Sequence, residues 1–260
     1  MGIKIEVFKT LDDEDKKIKV LNKDISRPCF RMVLIGSTGT GKTNFIKHLI
    51  FNEYKNYFDE IYIFIGSSDD RDEYERIASC KKYRLWNKKK QDLYKSKKKC
   101  LIEKMTIMQE VSAEQLKDLY DELEQEQNET GKKIRSLWVF DDQITSNLFR
   151  RKGSMGMIDQ IFIKGRHINL SCIISTQYYT ALSQNIRGAN TSQVVLFSGL
   201  SDKELKKIAE EQAQELTKEE FINLYRIITE KKFSALIINT KEPPKTKYQN
   251  EEFDLIELSD

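Results

Sequence analysis

Histidine and cysteine are scarce, at two and four among 260 residues. The cysteines Cys29, Cys80, Cys100 and Cys172 lie far apart and form no CxxC pair. That spacing argues against a structural zinc site or a disulfide framework and fits a reducing compartment. No apolar run approaches the ~20 residues that a membrane-spanning helix needs. The opening MGIKIEVF lacks the shape of a secretory signal, and Glu6 stands where a myristoylation motif requires Ser or Thr. A soluble, intracellular protein is expected. An excess of one charge is missing too: 44 basic residues against 41 acidic leave +3, so net charge points to no partner.

What is present alternates. Short β-branched or aromatic runs are separated by helical patterns, the signature of an α/β protein with a largely parallel sheet flanked by helices. The runs are RMVLI (31–35), EIYIFI (60–65), SLWVF (136–140), LSCIIS (170–175), QVVLF (193–197) and FSALIIN (233–239), with a further edge strand expected at 4–7. Between the second and third lies a charged insertion, placed at about 68–133. Its first part, 81–104, is lysine-rich with Tyr83, Trp86 and Tyr94 interleaved; its second, 110–129, is acidic with a helical apolar pattern. The two parts read either as a solvated helical pair of opposite charge or as an arm contacting DNA phosphates. The expected organisation is an N-terminal edge segment (1–27), a nucleotide-binding domain (28–240) and an acidic tail (241–260).

The chemistry sits at strand ends. GSTGTGKT, residues 36–43, matches G-x-x-x-x-G-K-[ST] between an apolar strand and a helix beginning near Lys42, the context that motif requires. Gly36, Gly39 and Gly41 let the backbone curl, so that the amides of Ser37, Thr38 and Thr40 and their neighbours face phosphates without Cβ clashes. Lys42 brings positive charge to the β- and γ-phosphates of ATP, and Thr43 a hydroxyl to Mg²⁺. SLWVFDD delivers two carboxylates at the end of an apolar strand, the end that faces the nucleotide in a doubly wound sheet. Asp141 is the expected Mg²⁺ partner and Asp142 the expected base acting on the attacking water. Gln177 tips the 170–175 run, in reach of the γ-phosphate or that water. Arg166 and Arg187, before and after that run, are candidates for an arginine supplied across a subunit boundary.

The order GSTGTGKT, VFDD, GRHINLSCIISTQ, IRGANTSQVVLF resembles the FtsK–HerA superfamily of DNA-pumping P-loop ATPases, nearest to the poxvirus-type genome-packaging ATPase of nucleocytoplasmic large DNA viruses and virophages. The resemblance spans roughly 28–197. It implies ATP and Mg²⁺ as cofactors, a sensor role for Gln177, a trans-acting finger at Arg166 with Arg187 as second choice, and a homo-oligomeric ring of five or six subunits around double-stranded DNA. It also implies docking to a capsid or internal-membrane protein, and a place in the host cytoplasm, at the virus factory, and in the virion. One departure is that Asp142 stands where related ATPases commonly carry Glu, one methylene longer. The alternative readings are a nucleotide-switched binding protein, a small-molecule kinase and a capsid component that merely binds ATP. Against the first, no NKxD follows the phosphate loop, since the similar NKD at 22–24 precedes it. A kinase would need an arginine-rich lid, and the third reading a damaged loop or acid pair.

Overall fold

The computed structural model describes residues 5–8, 25–26, 29–55, 57–66, 74, 84–86, 93–95, 105–109, 111–142, 148, 156–188 and 190–258. In chain order its elements are β1 (Ile5–Phe8), β2 (Arg31–Ile35), α1 (Lys42–His48), β3 (Glu60–Ile65), β4 (Arg84–Trp86), β5 (Leu93–Lys95) and β6 (Met105–Gln109). These are followed by α2 (Ala113–Thr130), β7 (Ser136–Asp141), α3 (Met157–Lys164), β8 (Leu170–Thr176), α4 (Gln184–Arg187) and β9 (Gln193–Phe197). The chain ends with α5 (Asp202–Gln212), α6 (Lys218–Ile228), β10 (Ala235–Asn239), α7 (Pro244–Lys247), β11 (Tyr248–Gln249) and β12 (Leu255–Leu258).

One ten-stranded sheet runs β1-β12-β11-β10-β9-β2-β8-β7-β3-β6. From β9 to β6 every pairing is parallel. From β9 to β1 every pairing is antiparallel. Parallel strands need both faces covered, because their crossovers lay helices on each side. The central strands satisfy this by period-2 alternation: Val33 and Ile35 of β2 enter one core, Met32 and Leu34 the other. The first core packs against α2, α3, α5 and α6 through residues such as Leu116, Phe162, Ile208 and Phe221. The second packs against α1 and the turn of helix after it through Phe45, Ile46, Leu49 and Ile50.

The expected α/β class, parallel centre and apolar strands are all found. Three segments differ from expectation. The charged insertion does not continue to 133 apart from the sheet: β6 pairs with β3, and α2 returns the chain to β7. β6 escaped notice because an edge strand is only half covered and shows no continuous apolar run. The helical character of the acidic part is found, in α2, which starts with a capping box between Ser112 and Gln115 and stops at Gly131 with φ 64. In the lysine-rich part, β4 and β5 form a separate antiparallel pair rather than a helix; the rest of 81–104 lies outside the described residues. The C-terminal segment is likewise no loose tail. β11 and β12 extend the sheet, and Tyr248, Phe253 and Ile256 are buried. Its acidic composition hid three apolar anchors. Finally, the last expected strand begins at Ala235, not 233, because Phe233 has φ 70 and belongs to the preceding turn.

Lys247, at the end of α7, records this packing in its titration. Its ammonium is buried, lies 5.8 Å from the Tyr248 ring centre, and has no hydrogen-bond partner among the described residues. Burial pulls its pKa down to about 8, with Glu215 opposing. The unfolded chain, with a lysine pKa of about 10.4, therefore binds more protons between those values, and stability rises with pH across that window. Lys247→Met should raise stability at neutral pH and flatten the rise above pH ~8 in urea titrations. An unchanged profile would mean a solvated segment.

Candidate active site

The parallel strands end together, and the candidate residues gather where β2, β8 and β7 finish. The phosphate-loop sequence leaves β2 at Ile35, where the Gly36 amide donates to the Thr176 carbonyl at the tip of β8 (3.2 Å). Gly36 has no room for a side chain: a Cβ there would lie 2.6 Å from the Phe197 Cβ. Gly41 has φ 107 as it hands the chain to α1, a conformation that glycine alone adopts cheaply. The Ser37 hydroxyl donates to Gly199 O (2.6 Å) and that of Thr40 to Ser37 O (2.8 Å), which fixes the loop against the turn after β9.

Lys42 is buried, and its ammonium donates to the carbonyls of Gly36 (2.7 Å) and Ser37 (2.9 Å). Burial lowers its pKa, while the carboxylates of Asp142 and Asp141 act to raise it. From the other side, β7 brings Asp141, 1% exposed, whose Oδ2 accepts from the Thr43 hydroxyl (3.0 Å) and from Tyr74 OH (2.8 Å). Asp142 follows in an exposed left-handed turn, φ 51, with its carbonyl so close to Gly66 that a Cβ there would lie 2.7 Å away. The result is a cleft of about 280 Å³ lined by Thr38, Gly39, Gly41, Lys42, Thr43, Asn44, Asp141, Asp142 and Phe233. It offers backbone amides, one ammonium, two hydroxyls, a carboxamide and two carboxylates, a set fitted to a polyphosphate with a hard cation.

Among the predicted residues, the loop and both aspartates thus share one cleft. Gln177 follows Thr176 directly at the tip of β8, between loop and acid strand, though it does not line the cleft itself. The arginines are not brought there. Arg166 sits exposed in the short helix before β8, at the opposite end of a strand roughly 20 Å long. Arg187 is held within its own chain: its guanidinium pairs with Glu211 (2.6 Å), donates to Leu182 O (3.1 Å) and lies 5.3 Å from the Tyr179 ring centre. Three residues at the site were missed: Asn44, which follows the motif and lines the cleft, Tyr74 and Phe233. Tyr74 stands in a charged run with no local signal of burial, and Phe233 was read as strand.

Fold and cleft together define a P-loop ATPase. The chain belongs to the Poxvirus A32 protein family, whose model matches residues 17–242. The packaging-ATPase resemblance carried by the sequence motifs is thereby borne out. Among solved structures, similar folds include B204, the DNA-packaging ATPase from Sulfolobus Turreted Icosahedral Virus (TM-score 0.58, 16% identity, covering 90% of this chain and 98% of that one). B204 from Sulfolobus turreted icosahedral virus 2, in complex with ATP-gammaS, matches with TM-score 0.57 and 17% identity over 85% and 95% of the two chains. ATPases 2 and 3 of EssC from Geobacillus thermodenitrificans match with TM-score 0.51 and 10% identity over 88% of this chain and 39% of that one. No curated protein sequence matches.

Tyr74 is fully buried and donates to a carboxylate, so removing its hydroxyl withdraws a charge-assisted bond. Tyr74→Phe should lower the unfolding free energy by about 1.5–3 kcal/mol. A loss below about 0.5 kcal/mol in denaturant titration would show that the bond does not hold Asp141 in place.

Proposed function

We propose that this protein is an ATP-driven translocase that moves double-stranded DNA into a preformed viral capsid. The observation that carries the proposal is the convergence of Thr43 and Asp141 beside Lys42, in a chain of the Poxvirus A32 family. The B204 proteins that share the fold are packaging enzymes by their descriptions, one of them in complex with an ATP analogue.

On this reading the amides of residues 36–43 cradle the ATP phosphates. Lys42 leaves its two carbonyl partners to meet the β- and γ-phosphates. Thr43 and Asp141 would hold Mg²⁺: one hydroxyl and one carboxylate suit an ion that keeps waters and takes its other ligands from phosphate. Bound there, Mg²⁺ would neutralise charge on the phosphate oxygens. Asp142, exposed on the cleft wall, accepts a proton from the attacking water. Gln177 orients that water or senses the γ-phosphate from the tip of β8. Arg166, remote from its own cleft, serves a neighbour's, which implies a homo-oligomeric ring of five or six subunits. Arg187, engaged with Glu211, is the second choice for that role. The ring encircles DNA in the host cytoplasm at the virus factory and docks on a capsid or internal-membrane protein, passing with it into the virion. Among the described residues, no helix is long and apolar enough to cross a membrane. The ten-stranded sheet and the helices on its two faces form the ATPase body.

ATP hydrolysis by purified, assembled protein should require Mg²⁺ and speed up with duplex DNA. Equal rates with and without DNA would remove translocation from the reading. Lys42→Ala and Arg166→Ala should each depress turnover, the latter by about 10³-fold or more. Mixing the two variants should then restore part of the activity, because each supplies what the other lacks at one type of interface. A mixture as inactive as its components would end the trans assignment of Arg166.

A further inference from the structure

Phe233 does something unusual at the cleft. It is a large apolar side chain left 50% exposed, and its backbone has φ 70, a region that bulky residues enter only when the surroundings impose it. The surroundings here do impose it. The Ser234 amide donates to Lys231 O (3.1 Å), which closes the turn. Glu251, from the C-terminal extension of the sheet, accepts from the Ser234 hydroxyl (3.2 Å) and the Ala235 amide (3.4 Å). Ala235 in turn pairs with Phe197, the residue packed against Gly36. The same strand ends therefore set both the phosphate loop and the position of this ring.

The ring rests against the helix end of the loop: a Cβ added to Gly41 would lie 3.2 Å from its Cδ1. Among the described residues lining the cleft it is the sole aromatic. A triphosphate seated in the loop carries its nucleoside out of the cradle, and the base needs an apolar surface to leave water. The Lys232 ammonium lies 4.8 Å from the ring centre, so a flexible side chain already occupies a face of the ring. An exposed cation–π contact is weaker than stacking of a base on an aromatic ring, so a base can displace it.

We propose that Phe233 is the platform on which the base of the bound nucleoside triphosphate stacks. The assignment rests on the nucleotide reading of the cleft and adds the residue that holds the base. A purely structural Phe233, wedging the loop at Gly41, would affect phosphate binding as much as nucleotide binding, and this separates the two roles.

The test compares binding of Mg·ATP with binding of inorganic tripolyphosphate and Mg²⁺ to the full chain by calorimetry. Phe233→Leu keeps the apolar bulk beside Gly41 but has no π face, Phe233→Ala removes both, and Phe233→Trp restores a face. The Leu and Ala variants should bind ATP about fivefold to 150-fold more weakly, the range into which ~1–3 kcal/mol of stacking converts. Their tripolyphosphate affinity should stay within about twofold, which also shows that they are folded, and Phe233→Trp should bind ATP nearly as the wild type does. ATP affinity unchanged in Phe233→Leu, or tripolyphosphate weakened as much as ATP, overturns the proposal. Should the wild type bind neither ligand, or Lys42→Ala bind both as well as the wild type, the nucleotide reading of the cleft fails and the platform falls with it.

Discussion

The hydrogen bond from Thr43 to Asp141 joins two strands that are not neighbours. β8 lies between β2 and β7, so the loop and the acid strand start roughly 10 Å apart. The loop closes that gap by crossing the tip of β8, where the Gly36 amide takes the Thr176 carbonyl. The strands on either side of β2 dictate the rest. Gly36 must lack a side chain because β9, on the side of β2 away from β8, brings Phe197 against it; Gly41 turns left-handed where the chain enters α1. Gln177 is the next residue after Thr176, at the tip of the strand between the loop strand and the acid strand. An intervening strand can thus carry a polar residue between the two.

The cost of bringing these groups together falls on Asp141. A carboxylate 1% exposed must be hydrogen-bonded to be tolerable. Thr43 supplies one partner and Tyr74 another. The Tyr74 bond does not involve Thr43, so it can hold the acid whether or not the hydroxyl is engaged elsewhere. Lys42 is handled in the same way. Two loop carbonyls hold its ammonium, and charged phosphate oxygens, being better acceptors, could displace them.

How much of this was legible follows from how local each signal is. The loop and the aspartate pair are read within a few residues, and the apolar strands that carry them are continuous because both faces are covered. Their convergence was legible only as an expectation from strand order. Tyr74, β6 and the C-terminal strands were not legible. Their roles come from partners distant in sequence: Tyr74 meets Asp141 across 67 positions, and β12 pairs with a strand at the other terminus. Phe233 was hidden differently, since an aromatic before an apolar run reads as the first residue of the strand. Only its φ of 70 shows that it leaves the sheet.

The fold separates the two arginines from the cleft in different ways. An arginine that acts in trans must be absent from its own site, uncommitted inside its own chain, and presented at the surface. Arg166 sits exposed at the far end of β8, on a short helix whose left-handed stop at Asn169 fixes its position. Arg187 meets the first condition but not the second. Glu211 pairs with it at 2.6 Å with 14% of the side chain exposed, and moving it would break that contact along with the bond to Leu182 O. A ring interface would therefore draw on the end of the sheet opposite the loop. Under the proposed trans role of Arg166, each cleft would be completed by the underside of the next subunit, and hydrolysis would be conditional on assembly.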